Sequence, residues 1–325
     1  MPTGTPLTFR MLRFGRDALR CTMMLAFFLS LQACGGGRSA QSEAPSDITD
    51  RLAPGAGLRD IATHLLDARQ EQAVTRALAL HYPDLSRADA YRIQMMTLNM
   101  EEEAGHTVAG WKMGGTRVTD PDASPDPQFG YSLGSNVYPA GEPFPLDRLT
   151  EQHPMVEAEI AVWIGRDLPG PEITREEFLQ SVASVSGGVE IISSRLRPTD
   201  PDQPESVTTA HAIADDISHG AAILGTTHLG LDTIDPDREV AWIEINGEEQ
   251  ARGISKAIMG TRGNPLDAVL WLARELPRHG QYLRKGQFVI TGSLYDNPTM
   301  KAGDHAVVHY SSLGTIEFSM AGNPR

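Results

Sequence analysis

The sequence predicts an α+β fold, in which helices precede and interrupt a largely antiparallel β region. Three observations lead there. Apolar residues at helical spacing dominate from Gly57 to Gly105, Val156–Ile164 alternates with a period of two, and the last part of the chain is a series of short strands separated by glycine-containing turns. No G-x-G-x-x-G or P-loop spacing occurs, which disfavours a nucleotide-binding doubly wound sheet, and no internal repeat is visible. The 325 residues are 40% hydrophobic and 22% charged, an ordinary globular composition with room for one large domain or two modest ones.

The first residues do not belong to that fold. Arg10, Arg13, Arg16 and Arg20 form a basic region, Cys21–Leu31 an apolar run, and Leu31-Gln32-Ala33-Cys34 follows. This is the organisation of a secretory signal, too short for a stable membrane span. It also resembles a bacterial lipobox, in which residues 1–33 are removed as a lipoprotein-type signal peptide and Cys34 is lipidated. The chain is therefore expected to be exported and held at the periplasmic membrane only through that lipid. An internal start at Met11 or Met23 is the alternative. Residues 34–55 are nearly free of large apolar side chains and read as a flexible linker, with the folded domain at 56–325.

Cys21 and Cys34 are the only cysteines, so the folded part has no disulfide and no thiolate metal site. The net charge is −14, and −17 once residues 1–33, with their four Arg and one Asp, are removed. Such a surface repels phosphate backbones, which excludes nucleic acid as an expected partner, and it holds off anionic substrates unless a local cation receives them.

The elements follow in order. Leu58, Ile61, Leu65 and Leu66 share one face of a helix running from about Gly57 towards Gln72, and a second helical stretch ends near Leu80. Ser86 caps a third, with Tyr91, Ile93, Met95, Met96 and Leu98 in its apolar stripe. Val108–Gly115 reads as a short buried strand. Residues 117–155, rich in Pro, Gly, Asp and Ser, read as a long irregular arm in which Phe129-Gly130-Tyr131 is the most ordered part. Thr174 caps a helix expected over Ile173–Val185, and Val189–Ile192 is the next strand. A loop at Arg197–Thr209 leads into Ala214–Gly225, which turns into a buried strand. Val240–Ile245 with Asn246-Gly247 makes a hairpin, and Asn264-Pro265 opens a helix that Gly280 ends. Strands at Phe288–Thr291, His305–Tyr310 and Thr315–Met320 close the chain.

Three positions break these patterns with charge. Glu157 and Glu159 lie two apart on one strand and so share a face. Two carboxylates that close repel unless a proton or cation lies between them, and a hard divalent ion is the simplest resolution. The alternative is the solvated face of an edge strand. Glu190, inside V-E-I-I, is costly without a partner, which is either the same ion or Arg195. Lys112 interrupts the run V-A-G-W-K-M-G-G, where it either snorkels to the surface or turns inward to an anion or a catalytic proton.

The order of motifs is similar to that of one family. It runs G-W-K-M-G-G, F-G, V-E-A-E-I-A-V-W-I-G-R-D-L, V-E-I-I-S-S-R, I-A-D-D-I-S-H-G-A-A-I-L-G, G-N-P-L-D-A-V-L-W-L-A, V-I-T-G-S-L and K-A-G-D-H-A-V-V. It resembles the 2-keto-4-pentenoate hydratases which, with the 4-oxalocrotonate decarboxylases, belong to the fumarylacetoacetate hydrolase superfamily. The resemblance extends from about Gly57 to Phe318. It implies a mixed β-roll with flanking helices, a homo-oligomer, and Mg²⁺ or Mn²⁺ held by Glu157, Glu159 and Glu190. It places the family's active-site lysine on Lys112 and its Thr-Gly-Ser segment on Thr291-Gly292-Ser293. Lys112 and Ser293 are then the expected catalytic residues, with Thr291, Gly292 and Asp215 at the substrate. The chain departs from the family at Ser135, where hydratases usually carry an acid, at His211, which replaces an Asp, and at Asp216, which replaces an Asn.

The implied substrate is a 2-keto acid, whose carboxylate and keto oxygens chelate a hard cation. The ion polarises the C2 carbonyl and stabilises the enolate. Water addition at C4 gives a 4-hydroxy-2-keto acid, and loss of CO₂ through the same enolate gives a decarboxylase. Acylpyruvate hydrolysis needs a His–Glu pair, and His106 has no obvious glutamate at matching spacing. A silent exported keto-acid-binding protein is the reading from a different class.

Overall fold

Gly57 and Ser86 open the first long helices. The Asp60 carboxylate accepts from the Gly57 amide at the start of α1 (Leu58–Gln70), and the Ser86 hydroxyl accepts from the Asp89 amide at the start of α3 (Arg87–Glu103). Between them lies the short α2 (Ala77–His81). α1 buries Ile61, Ala62, Leu65 and Ala68, and α3 buries Tyr91, Ile93 and Leu98. The computed structural model describes residues 44–120, 122–260 and 263–322. No helix among them is long and apolar enough to cross a membrane.

The strands, in chain order, begin with β1 (Val108–Gly114), β2 (Gln128–Leu133), β3 (Val137–Pro139), β4 (Pro143–Pro145), β5 (Met155–Ile164) and β6 (Val182–Ile192). They continue with β7 (His219–Leu224), β8 (Val240–Ile245), β9 (Glu248–Ile254), β10 (Phe288–Ile290), β11 (His305–Tyr310) and β12 (Gly314–Ala321). Three more helices, α4 (Arg175–Leu179), α5 (Thr209–Ala214) and α6 (Pro265–Glu275), interrupt them. The larger sheet has the order β2-β1-β10-β5-β6-β7-β3 and the smaller β4-β12-β11-β8-β9. Both are mixed: β1/β10, β3/β7 and β4/β12 run parallel, the other pairs antiparallel. Side chains from both sheets and from the helices share the main buried core. The result is the α+β class expected.

The Asn246-Gly247 hairpin joins β8 to β9 as anticipated, with both residues at positive φ, 54° and 83°. Tyr310 locks the two sheets together. Its hydroxyl donates to the Gly188 carbonyl at 2.5 Å, and its ring lies so close to Gly187 that a Cβ there would sit 2.6 Å from it.

Three expectations need correction. The helix expected over Ile173–Val185 is only the five-residue α4, because Val182 onward pairs with β5 in a long antiparallel ladder that outweighs local spacing. Residues 117–155 are not an irregular arm, since β2 pairs with β1, β3 with β7 and β4 with β12. The flexible linker does not reach residue 55: Ile48 and Leu52 are buried, and the Ile48 amide donates to the Val74 carbonyl at 2.9 Å. The signal peptide and Cys34 lie outside the described residues.

Candidate active site

Register on the larger sheet assembles the acidic cluster. β5 and β6 are antiparallel neighbours in which Glu157 stands directly opposite Glu190, and Glu159 opposite Gly188. The period of two keeps Glu157 and Glu159 on one face. Carboxylate oxygens of all three glutamates lie within 4.8 Å of one another. β10 and then β1 flank β5, which brings Lys112 to the same place.

Each carboxylate has one oxygen held by protein donors. Asn297 Nδ2 donates to Glu157 Oε1 at 2.5 Å, and the Gly292 amide donates to Glu159 Oε2 at 2.5 Å. On Glu190 the Lys112 ammonium and the His219 Nδ1 both meet Oε1, at 2.9 and 2.7 Å. That leaves Glu159 Oε1 and Glu190 Oε2 buried without a partner. Unsatisfied buried acceptors are costly, and two of them in a cluster of three carboxylates suit a hard divalent cation bound through oxygen.

The electrostatics point the same way. Burial, then the Glu190 charge, pushes Glu157 up to about 7. Burial and the two neighbouring carboxylates raise Glu159 well above the ordinary range. Burial also opposes ionisation of Glu190, but Lys112 and His219 overcome it and hold that carboxyl below its usual value. Lys112, only 2% exposed, is opposed by burial and yet kept above the ordinary lysine range by Glu190 and Glu157. It faces the cluster and does not snorkel.

A strained turn completes the lysine's surroundings. Asp216, Ile217 and Ser218 have φ of 56°, 46° and 57°, a left-handed run that a β-branched residue such as Ile217 rarely adopts. Asp216 holds it by accepting from the Tyr131 amide at 2.8 Å, with Arg69 at 3.4 Å. The turn aims the Ile217 carbonyl at Lys112 Nζ, 2.9 Å away. A cavity of about 490 Å³ opens over this group, lined by Lys112, Glu157, Ile217, Gly292, Ser293 and Asn297 among others.

Of the other residues singled out in the sequence, Ser293 lines the cavity, and its hydroxyl donates to Asn297 Oδ1 at 2.6 Å, one step from Glu157. Gly292 has φ of 105°, and a Cβ there would lie 2.0 Å from the Thr116 hydroxyl, so only glycine can present this amide to Glu159. Thr291 is fully buried and meets Thr116 through its carbonyl, off the cavity wall. Asp215 is also set back from the cavity: Arg195 Nε donates to its Oδ1 at 2.8 Å. That pair also removes Arg195 as the alternative partner of Glu190.

His211 is structural. Its ring accepts from the Thr208 amide through Nδ1 and donates to the Tyr82 carbonyl through Nε2. His106 does have a nearby carboxylate, Glu101, at 3.6 Å, but the two line a second cavity, together with Ser135, and not the one over the glutamates. Sequence reasoning missed His219 and Asn297. The signal for His219 was an ionisable residue entering an apolar strand, and Asn297 sits before a proline in what reads only as a turn.

The profile of the fumarylacetoacetate (FAA) hydrolase C-terminal family matches residues 96–321. The chain belongs to the FAA hydrolase family. Among relatives, a 2-keto-4-pentenoate hydratase of Paraburkholderia xenovorans (strain LB400) is 30% identical over 266 residues, 81% of this chain and 95% of the relative. A 4-oxalocrotonate decarboxylase of Pseudomonas putida is 29% identical over 259 residues, 79% of this chain and 94% of the relative. Among solved structures, the 4-oxalocrotonate decarboxylase from Pseudomonas putida G7, complexed with magnesium and adipate, superposes with a TM-score of 0.71 at 25% identity. That alignment covers 82% of this chain and 100% of the solved one. The β-roll with flanking helices is thus the fold shared by this FAA hydrolase family member and the decarboxylase.

Proposed function

We propose that this FAA hydrolase family member is a divalent-metal-dependent hydro-lyase that adds water to a 2-hydroxy-2,4-dienoate or 2-keto-4-enoate, giving a 4-hydroxy-2-keto acid. The observation that carries the reading is the pair of partnerless buried oxygens, Glu159 Oε1 and Glu190 Oε2, beside the buried Lys112. Relatives named as hydratases support the reaction class.

In this reading Glu157, Glu159 and Glu190 hold Mg²⁺ or Mn²⁺, which when bound polarises the C2 carbonyl of the substrate and offsets the charge of its enolate. Lys112 remains an ammonium and faces the substrate's carboxylate or enolate oxygen, supplying the local cation that an acidic protein needs to receive an anion. The Ile217 carbonyl and Glu190 fix the direction of that ammonium. Ser293, steered by Asn297, places a hydroxyl in the cavity near Glu157, where it orients substrate or water. Thr291 contributes through the backbone that sets Gly292, whereas Asp215 is held by Arg195 away from this cavity.

The second reading is a decarboxylase, favoured by the likeness to the 4-oxalocrotonate enzyme. Hydrolysis of acylpyruvates ranks below both, because His106 and Glu101 open onto the other cavity. Incubation with 2-hydroxypenta-2,4-dienoate and, separately, with 4-oxalocrotonate, followed by NMR of the products, separates the two. A 4-hydroxy-2-keto acid from the first supports the hydro-lyase. Release of CO₂ from the second without hydration of the first supports the decarboxylase and sinks the primary reading.

Export, a lipid on Cys34 and a homo-oligomer belong to the same proposal. Mass spectrometry of a bacterial membrane fraction reads the first two: a mature chain starting at lipidated Cys34 is expected, and unprocessed cytosolic protein contradicts it.

A further inference from the structure

A second cavity of about 320 Å³ shares no lining residue with the one over the glutamates. Its wall carries three guanidinium groups, from Arg69, Arg148 and Arg195, and two imidazoles, from His106 and His219. The one carboxylate on that wall is Glu101. In a chain of net charge −14 this is a local reversal of sign.

Not all of these guanidinium groups are committed. Arg195 is fully engaged, through Nε and a second nitrogen, with Asp215. The Glu101 carboxylate lies 3.6 Å from His106 Nε2. Arg69 gives one nitrogen to the Tyr131 hydroxyl at 2.8 Å and only a long contact, 3.4 Å, to Asp216, while its Nε is buried without a partner. Arg148 is exposed and makes no ion pair among the described residues. Ser135, Asn136 and Thr150 add hydroxyl and amide groups that suit an oxyanion.

We propose that this cavity is a binding site for the carboxylate or phosphate group of a small molecule, received by the guanidinium groups of Arg148 and Arg69. A guanidinium presents several donors in a fixed fork and is less tightly hydrated than an ammonium, so a partly enclosed arginine is suited to such a group. The proposed site adjoins the candidate metal site through one residue. His219, on the wall of this cavity, is the residue whose Nδ1 holds Glu190 at 2.7 Å.

The test is isothermal titration calorimetry of the full chain, freed of metal with a chelator and dialysed, against succinate and against inorganic phosphate. At least one should bind. Binding of succinate alone assigns a carboxylate ligand, of phosphate alone a phosphate ligand, and of both the shared oxyanion chemistry. Removing the charge in Arg148→Gln, or adding an opposing one in Ser135→Glu, should weaken binding by roughly tenfold. Glu157→Gln should leave it unchanged. The proposal is overturned if neither anion binds at tens of millimolar, if binding ignores both Arg148→Gln and Ser135→Glu, or if it appears only when Mg²⁺ is added. The last result would put the anion on the metal site.

Discussion

Nζ of Lys112 lies 2.9 Å from Oε1 of Glu190, and both side chains are buried. A pair of this kind is costly to assemble and more costly to break, since removal of one partner strands the other charge. Here the stranded group would be one of three carboxylates already in mutual repulsion.

Lys112→Met keeps the stem and removes the charge. It should cut kcat by about a hundredfold or more and raise KM by less, because the ammonium receives the substrate anion and acts more strongly on the charge that grows during reaction. Mn²⁺ binding should persist. The metal-free variant should also be less stable by about 3 kcal/mol, read by urea unfolding. Full turnover would show that the lysine is only a structural counter-ion.

His219 should act as a positioning residue for Glu190. His219→Leu is expected to weaken Mn²⁺ affinity by about ten- to a hundredfold, as loss of a hydrogen bond to a metal-binding carboxylate does elsewhere. His219→Asn, which keeps a short donor, should recover part of that loss. Equal affinities in wild type and His219→Leu would remove this role.

Stability of the metal-free protein should depend on pH in a direction set by Glu157 and Glu159. Both carboxyls are raised in the folded state, Glu157 to about 7, above the value of 4.5 for an unperturbed glutamate. Below 4.5 both states hold the proton and nothing is lost. Between 4.5 and about 7 the unfolded chain ionises first, so the folded state loses relative stability as pH rises. Bound Mg²⁺ replaces the proton, so the gain in Tm on adding Mg²⁺ should be larger at pH 8 than at pH 5.5. Differential scanning fluorimetry at the two values decides it, and an equal or reversed gain contradicts the cluster's electrostatics.

Gly292→Ala should be disproportionately harmful for one methyl group. The φ of 105° and the 2.0 Å approach to the Thr116 hydroxyl force the backbone to move, and with it the amide that holds Glu159. A loss of about 2 kcal/mol in stability and a clear fall in Mn²⁺ affinity are expected. Unchanged metal affinity would separate the Thr291-Gly292-Ser293 turn from the site.

What was legible in the sequence was what local periodicity controls. A period of two placed Glu157 and Glu159 on one face, and charge inside apolar runs marked Glu190 and Lys112. What was not legible depends on register between distant segments. His219 reaches Glu190 because β7 lies beside β6, and Asn297 reaches Glu157 from a loop that follows β10. Residues Ile173–Val185 suggested a longer helix because Thr174 caps its start, but a cap does not set where a helix ends, and the ladder with β5 claims Val182 and Val185. The start of the domain was misplaced because only two apolar residues, Ile48 and Leu52, anchor it in an otherwise polar stretch.

The central claim is that three glutamates hold the divalent ion on which water addition depends. The most direct measurement is the rate of hydration of 2-hydroxypenta-2,4-dienoate by wild type with Mg²⁺, by wild type stripped with EDTA, and by Glu159→Gln with Mg²⁺. The account predicts turnover to 4-hydroxy-2-oxopentanoate with Mg²⁺, its loss with EDTA and recovery on adding Mg²⁺ back, and a rate lower by about a thousandfold in Glu159→Gln. Hydration that is indifferent to EDTA, or a Glu159→Gln variant that turns over like wild type, would contradict it.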